Sequence, residues 1–216
     1  MESLKTIHAQ TRIAYNLAAQ KYYDLFHNEM NEKGYDRKLL DAFAGKFSRG
    51  AAILDAGCGP AGHVGRYLFD KGLQVVGLDI SDECVELARK HNPDMCFEQG
   101  DLADLPFAAD TFDGILAYYS IIDTPKIHQP VIFKEFRRAL KPGGRLLAAV
   151  KAGDSEGYLQ DPMGFKTKIW FALFSEDDIR NYFEQAGFRI EFMEKRNPYD
   201  FELQNERIFA IGEKSG

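Results

Sequence analysis

From Leu4 to about Phe26 the apolar positions Ile7, Ile13, Ala14, Leu17, Ala18 and Leu25 return every three or four residues. That period predicts one or two amphipathic helices. Gly34 interrupts the pattern, and a second helix is expected over 35–47, closed by Ser48-Arg49-Gly50. The rhythm then changes. Ala51-Ala52-Ile53-Leu54-Asp55 is a short apolar run that ends at a carboxylate and a glycine cluster, which reads as a buried strand. Further strands are expected at 74–79, 95–99, 112–118, 145–150, 188–194 and 207–212. Between them, helices are expected over 63–71, 81–91, 127–140 and 175–186. Ser81 and Ser175 are N-cap candidates, each followed by carboxylates that suit the positive end of a helix. Lys141-Pro142-Gly143-Gly144 and Gly187 are the expected stops.

Alternating strands and helices predict an α/β fold: a Rossmann-like, doubly wound, seven-stranded and mostly parallel sheet. A length of 216 residues suits one domain, 1–216, with a helical portion over 1–48 and the sheet-bearing core over 49–216. Composition adds exclusions. With 45% hydrophobic and 28% charged residues the chain is ordinary globular protein. Net charge is −6 and the 27 basic residues are scattered, so no extended nucleic-acid interface is expected. A small anionic substrate held by one or two arginines stays compatible with that balance. Three cysteines without a C-x-x-C pair support neither a disulfide framework nor a zinc ribbon, so no metal site and a reducing, cytoplasmic location are expected. Met1-Glu2-Ser3-Leu4-Lys5 lacks the apolar core of a signal peptide, and the longest near-apolar run, 114–122, is about half a membrane span. A soluble protein with no membrane partner follows as the expectation.

The chemistry concentrates after the first strand. In Asp55-Ala56-Gly57-Cys58-Gly59-Pro60-Ala61-Gly62, the glycines formally match G-x-G-x-x-G at the strand end where open α/β sheets bind ligands. Glycine there lets a ligand lie against main-chain N–H groups. The hexamer alone also fits a plain strand-to-helix turn. Asp55 stands two residues before the first glycine, where dinucleotide folds usually keep an apolar residue; its carboxylate suits a cationic amino group or a buttress for the turn. Asp79 ends the second strand, a place from which a carboxylate takes both hydroxyls of a ribose. Asp101, after the third strand, is placed to accept the amino group of an adenine.

Asp55-x-Gly57-Cys58-Gly59, Asp79, Gly100-Asp101 and Leu140-Lys141-Pro142-Gly143-Gly144, taken in order, resemble class I S-adenosylmethionine-dependent methyltransferases. The flavour is that of the small-molecule enzymes of ubiquinone and menaquinone biosynthesis. The resemblance spans roughly residues 15 to 150. It implies an antiparallel last strand, S-adenosylmethionine as cofactor with S-adenosylhomocysteine as product, and a small-molecule acceptor. It also gives meaning to Tyr15-Asn16-Leu17-Ala18-Ala19-Gln20-Lys21-Tyr22, which is similar to the family's N-terminal helical lid. Tyr15 and Tyr22, seven apart, share one helix face and would border the sulfonium. The cofactor-binding set so implied is Tyr15, Tyr22, Asp55, Ala56, Gly57, Gly59, Asp79, Ile80, Asp101, Leu102 and Tyr118. Two positions depart from the pattern: Ala61 stands where the third glycine falls, with Gly62 one position late, and Asp123 stands where relatives often carry His.

Methyl transfer needs a base only if the acceptor arrives protonated, so catalytic residues are poorly legible. Tyr119, His128 and Asp123 are the candidates, with His63 behind them and Tyr118 equally a core or cofactor-wall ring. The segment 165–174, with Trp170 and Phe171, fits an apolar lid over the substrate or ordinary core packing. Arg196, Tyr199 and Arg207 fit an anionic acceptor or solvating surface charge. A methyltransferase acting on tRNA or another macromolecule, an NAD-dependent oxidoreductase and a non-catalytic cofactor-binding module remain open. Against the oxidoreductase stand Asp55 and the lack of a Y-x-x-x-K pair. Against base-amine methylation stands Ala117-Tyr118-Tyr119-Ser120 where an N-P-P-Y cluster belongs, Asn197-Pro198-Tyr199 falling too late in the chain.

Overall fold

The computed structural model describes residues 2–215; Met1 and Gly216, the outermost positions of the expected 1–216 domain, lie outside the described residues. The chain opens with one continuous helix, α1, Leu4–Phe26, capped by the Ser3 hydroxyl, which accepts from the Thr6 N–H at 3.2 Å. No glycine or proline breaks its 23 residues, hence one helix rather than two. Its orientation corrects the sequence reading. Ile7, Ala14 and Ala18 are buried, but Ile13, Leu17 and Leu25 are more than half exposed, because His8, Thr11 and Tyr15 turn inward. Helix α2, Gly34–Ala44, begins on the glycine that had been expected to precede it and ends three residues early.

The sheet strands are β1, Ala52–Ala56; β2, Gln74–Asp79; β3, Cys96–Gln99; β4, Phe112–Tyr118; and β5, Leu140–Lys151. Between them run α3, His63–Phe69; α4, Asp82–His91; and α5, Gln129–Ala139. A separate hairpin follows, β6, Glu156–Gln160, and β7, Lys168–Ala172. Helix α6, Glu176–Gln185, and the strands β8, Phe188–Arg196, and β9, Arg207–Lys214, close the fold. The seven-stranded sheet has the order β3-β2-β1-β4-β5-β9-β8. β9 is antiparallel to both neighbours, and the other pairings are parallel. The order reverses between β1 and β4, and the crevice at such a switch point is where α/β sheets bind ligands.

Neighbouring residues of β1 serve opposite faces. Ile53 packs with Phe43, Leu68 and Val85 on the side of α2, α3 and α4, while Leu54 packs with Ile132, Phe133 and Phe183 on the side of α5 and α6. Both are fully buried, which is why the strand reads as an unbroken apolar run. The caps at α4 and α6 match the sequence: Ser81 Oγ accepts from Cys84 N, and Ser175 with Asp178 forms a capping box.

Two segments differ from expectation. β5 begins at Leu140, which pairs with Phe112; the ladder resumes at Gly114 with Arg145, so Lys141-Pro142-Gly143-Gly144 is a bulge inside a longer strand. The stretch 165–174 is no free lid. Its β7 pairs with β6 and packs against α1, with Tyr158 opposite Trp170 and with Ala172 and Phe174 fully buried. Among the described residues no helix is long and apolar enough to cross a membrane.

Candidate active site

The turn after β1 depends on backbone that few residues adopt. Gly57 has φ +85°, and a Cβ there would stand 2.2 Å from the Ser120 Cβ, so only glycine lets the β1 and β4 turns approach. The N–H groups of Gly57 and Cys58 both donate to the Leu78 carbonyl, at 2.7 and 2.9 Å, tying this turn to β2. The shifted third glycine has its place too. Gly62, at φ +54°, caps α3, and a Cβ on it would meet the Phe97 ring at 2.8 Å.

Three carboxylates mark the ends of β1, β2 and β3. Asp55 is 2% exposed and accepts the Gly65 N–H at 3.0 Å, so it buttresses the start of α3 from beneath the turn. Burial, with help from the neighbouring Asp79 charge and against the Gly65 bond, pushes its carboxyl up to about 7. Asp79 accepts the Gly59 N–H on Oδ2 and the Ser81 N–H on Oδ1, each at 2.9 Å. Burial raises it as well, and those amides oppose the rise. Asp101 accepts the Ala103 N–H at 2.8 Å and His8 Nδ1–H at 2.7 Å, while His8 Nε2 lies 2.9 Å from Thr124 Oγ1. Burial disfavours its charge, but the His8 and Ala103 bonds outweigh that and hold the carboxyl below the ordinary range.

Helix α1 lies over this edge. His8, Tyr15 and Tyr22 are spaced by seven residues and all line one cavity with the strand ends. The Tyr15 hydroxyl donates to Asp123 Oδ2 at 2.8 Å, and its ring meets Tyr22 edge-on at 5.7 Å. Burial lifts Asp123 to about 7, with the Tyr15 bond and the Lys151 charge acting against it. On the opposite wall Tyr119 holds φ +58°, a strained conformation for a non-glycine residue and one that recurs at functional sites. Its hydroxyl, Ser120 Oγ and Thr11 Oγ1 are buried without a hydrogen-bond partner, three polar groups that an occupant of the cavity would satisfy.

Of the residues singled out in the sequence, Tyr15, Tyr22, Asp55, Gly57, Gly59, Asp79, Ile80, Asp101, Leu102, Tyr118, Tyr119, Asp123 and His63 line this cavity. Ala56 does not: it is fully buried in the core on the α5 side. His128 is also absent from the wall, sitting instead in a 3-10 turn ahead of α5. Tyr118 donates its hydroxyl to the buried Asp36, so it braces the site from behind. Sequence reasoning missed His8, Thr11, Glu29, Ser120 and Thr124. The seven-residue spacing of Tyr15 and Tyr22, carried one step back, would have found His8. Glu29, which meets His63 Nε2 at 2.9 Å, gives no comparable local signal.

Arg196, Tyr199 and Arg207 correct the surface reading outright. Arg196 pairs with Asp36 at 3.0 Å and Glu202 at 2.7 Å, and Tyr199 donates to Asp36 at 3.2 Å. Arg207 is 2% exposed. These groups form an interior ionic network beside the cavity.

Comparison with known proteins bears on this geometry. A family profile described as a methyltransferase domain matches residues 53–144, which holds the glycine turn and all three strand-end carboxylates. A malonyl-[acyl-carrier protein] O-methyltransferase of Enterobacter lignolyticus is 32% identical over 66% of this chain, and the match spans 53% of that protein's length. An uncharacterized methyltransferase of Synechocystis is also 32% identical over 66% of this chain, with 69% of its own length covered. Among solved structures, the Burkholderia thailandensis 1,6-didemethyltoxoflavin-N1-methyltransferase, with bound 1,6-didemethyltoxoflavin and S-adenosylhomocysteine, superposes with a TM-score of 0.77. That alignment covers 100% of this chain and 92% of that one at 18% identity, a likeness of fold.

Proposed function

The chain belongs to the class I S-adenosylmethionine-dependent methyltransferase family, and we propose that it moves a methyl group from S-adenosylmethionine to a small-molecule acceptor, leaving S-adenosylhomocysteine. One observation carries this reading: Asp55, Asp79 and Asp101 end three adjacent strands around a cavity closed by Tyr15 and Tyr22. Asp79 is the ribose acceptor, since each of its oxygens keeps a lone pair beyond the one given to Gly59 or Ser81. Asp101 and Leu102 flank the adenine, and Gly57 and Gly59 pass under the methionine portion. Tyr15 and Tyr22 give the sulfonium an aromatic neighbour. When bound, S-adenosylmethionine supplies a methyl already activated on sulfonium. What remains for the protein is to exclude water and to hold the acceptor in line with the S–CH₃ bond, worth on the order of 7–11 kcal/mol in favourable cases. Tyr119 and Asp123 border that end of the cavity, and Asp123 is the group placed to take a proton if the acceptor arrives protonated.

Residues 1–216 act as one unit in this reading, α1 and α2 serving as the lid over the sheet-bearing core. A cytoplasmic setting is in keeping with the free thiols Cys58, Cys84 and Cys96.

Calorimetric titration of the full chain with S-adenosylmethionine, S-adenosylhomocysteine and NAD tests the reading. Both sulfur nucleosides are expected to bind, with Asp79→Asn weakening them about tenfold to a hundredfold through loss of charge-assisted bonds. Binding of NAD alone would reverse the assignment. Asn is the more informative change because it keeps an acceptor for one of the two backbone N–H groups, whereas Asp79→Ala strips both and would disturb the turn more.

A further inference from the structure

Three cations stand side by side at the end of the sheet. In the antiparallel ladders Lys151 of β5 faces Arg207 of β9, and Arg207 faces Arg196 of β8. Residues directly opposite project from the same face, and like charges in that relation repel. Lys33, ahead of α2, adds a fourth cation, its ammonium 5.4 Å from the centre of the Tyr119 ring, with the Arg207 guanidinium at 5.9 Å from the same ring. Three carboxylates form ion pairs with these cations. Glu29 takes Lys33, Asp36 takes Arg196, and Glu202 is shared by Arg196, Lys33 and Arg207.

Lys151 is the cation left over. No hydrogen bond or ion pair engages its ammonium among the described residues, and it lies 5.1 Å from the centre of the Phe171 ring. The Arg207 Nε and the Tyr119 hydroxyl are buried beside it without partners. Tyr119 and Asp123 line the cofactor cavity, so this corner adjoins it. Asp123 is the competing carboxyl nearby, and it already receives the Tyr15 hydroxyl.

We propose that this corner is the acceptor subsite, and that the methyl acceptor is a small organic molecule bearing a carboxylate, held by Lys151 with the Arg207 Nε–H and the Tyr119 hydroxyl. The proposal rests on the methyl-transfer reading and adds to it the charge class of the substrate. An ammonium that no carboxylate engages in an ion pair matches a carboxylate on the ligand. Phe171 and Tyr119 offer the rest of such a molecule an apolar wall.

Benzoate, with benzamide as its neutral counterpart, is the probe. Each is titrated calorimetrically into the full chain saturated with S-adenosylhomocysteine near neutral pH. Benzoate is expected to bind at least about tenfold more tightly than benzamide, about 1.4 kcal/mol. Lys151→Met should abolish that preference, Lys151→Arg should keep it, and the affinity for S-adenosylhomocysteine should stay the same in all three proteins. Folding of Lys151→Met is checked by its melting temperature, expected to match or exceed the parent's because a like-charge contact is relieved. A benzoate affinity no greater than that for benzamide, including no binding of either, overturns the proposal, as does a preference that survives Lys151→Met. If S-adenosylhomocysteine itself fails to bind, the cofactor reading falls instead; the benzoate preference of the unloaded chain then still decides whether the corner selects anions.

Discussion

At the ends of β1 and β2 the charges of Asp55 and Asp79 are held by backbone N–H groups of Gly65, Gly59 and Ser81. At the ends of β8 and β9, on the same edge of the same sheet, the charges are held by one another: Arg196 by Asp36 and Glu202, and Lys33 by Glu29 and Glu202. Backbone amides cannot be mutated away and cost no side-chain entropy, so the first arrangement gives a rigid cradle of fixed shape. Side-chain pairs in the interior are costly to desolvate and fail together when one partner is lost. The cradle suits a ligand common to a whole family.

The sharpest way to break this contrast is Asp36→Ala. It leaves Arg196 buried with half its neutralising charge and removes the acceptor of Tyr118 and Tyr199, so a loss of about 3–5 kcal/mol in urea-denaturation stability is expected. A loss below about 1 kcal/mol would mean the network is decorative.

The same contrast explains what the sequence could show. Asp55 lies ten residues from the N–H it accepts and Asp79 twenty, within the strand–turn–helix unit that carries the glycine motif. Local spacing therefore reported most of the cradle. Asp36 and Arg196 are 160 positions apart, and nothing in either neighbourhood names the other, so Arg196 and Arg207 read as either an anion site or surface charge, and the ionic network stayed hidden. The β6–β7 hairpin was hidden for a related reason: Lys168–Ala172 mixes a lysine with aromatics, and its partner strand Glu156–Gln160 carries no apolar alternation. Helix α1 misled through its period. Its exposed stripe Ile13, Leu17 and Leu25 is as regular as its buried one, and only the tertiary position of the helix over the cavity selects between them.

Acidity separates the two regions next. Asp55 and Asp123 titrate near 7 in the folded chain, well above the unfolded carboxylate range. A raised folded pKa means that the native state binds the proton more tightly than the unfolded one. The stabilisation is thus complete below about pH 4 and is lost as pH climbs through about 7. For Asp55 the loss reaches up to about 4 kcal/mol for a three-unit rise. Urea titrations of the ligand-free chain from acid to mildly alkaline pH should show stability falling across that window, and Asp55→Asn should flatten the fall. A slope of the opposite sign would place the dominant titration elsewhere.

Smaller effects refine the picture. Tyr15→Phe removes the lid's bond to Asp123 and is expected to cost about 1–2 kcal/mol in stability, with faster hydrogen exchange confined to α1. Exchange that speeds up throughout the sheet instead would show that α1 is part of the core. Ser175→Ala, in the capping box of α6 and outside the cofactor cavity, should cost about 1 kcal/mol and leave cofactor affinity alone. A change in affinity there would link α6 to the site.

The central claim is that the carboxyl ends of β1, β2 and β3 hold an adenosyl group beneath α1. A crystal structure of the full chain with S-adenosylhomocysteine tests it most directly. The account predicts the ribose hydroxyls on the Asp79 carboxylate and the adenine between Asp101 and Leu102. A nucleoside bound elsewhere, or one that leaves Asp79 facing only Gly59 and Ser81, would contradict it.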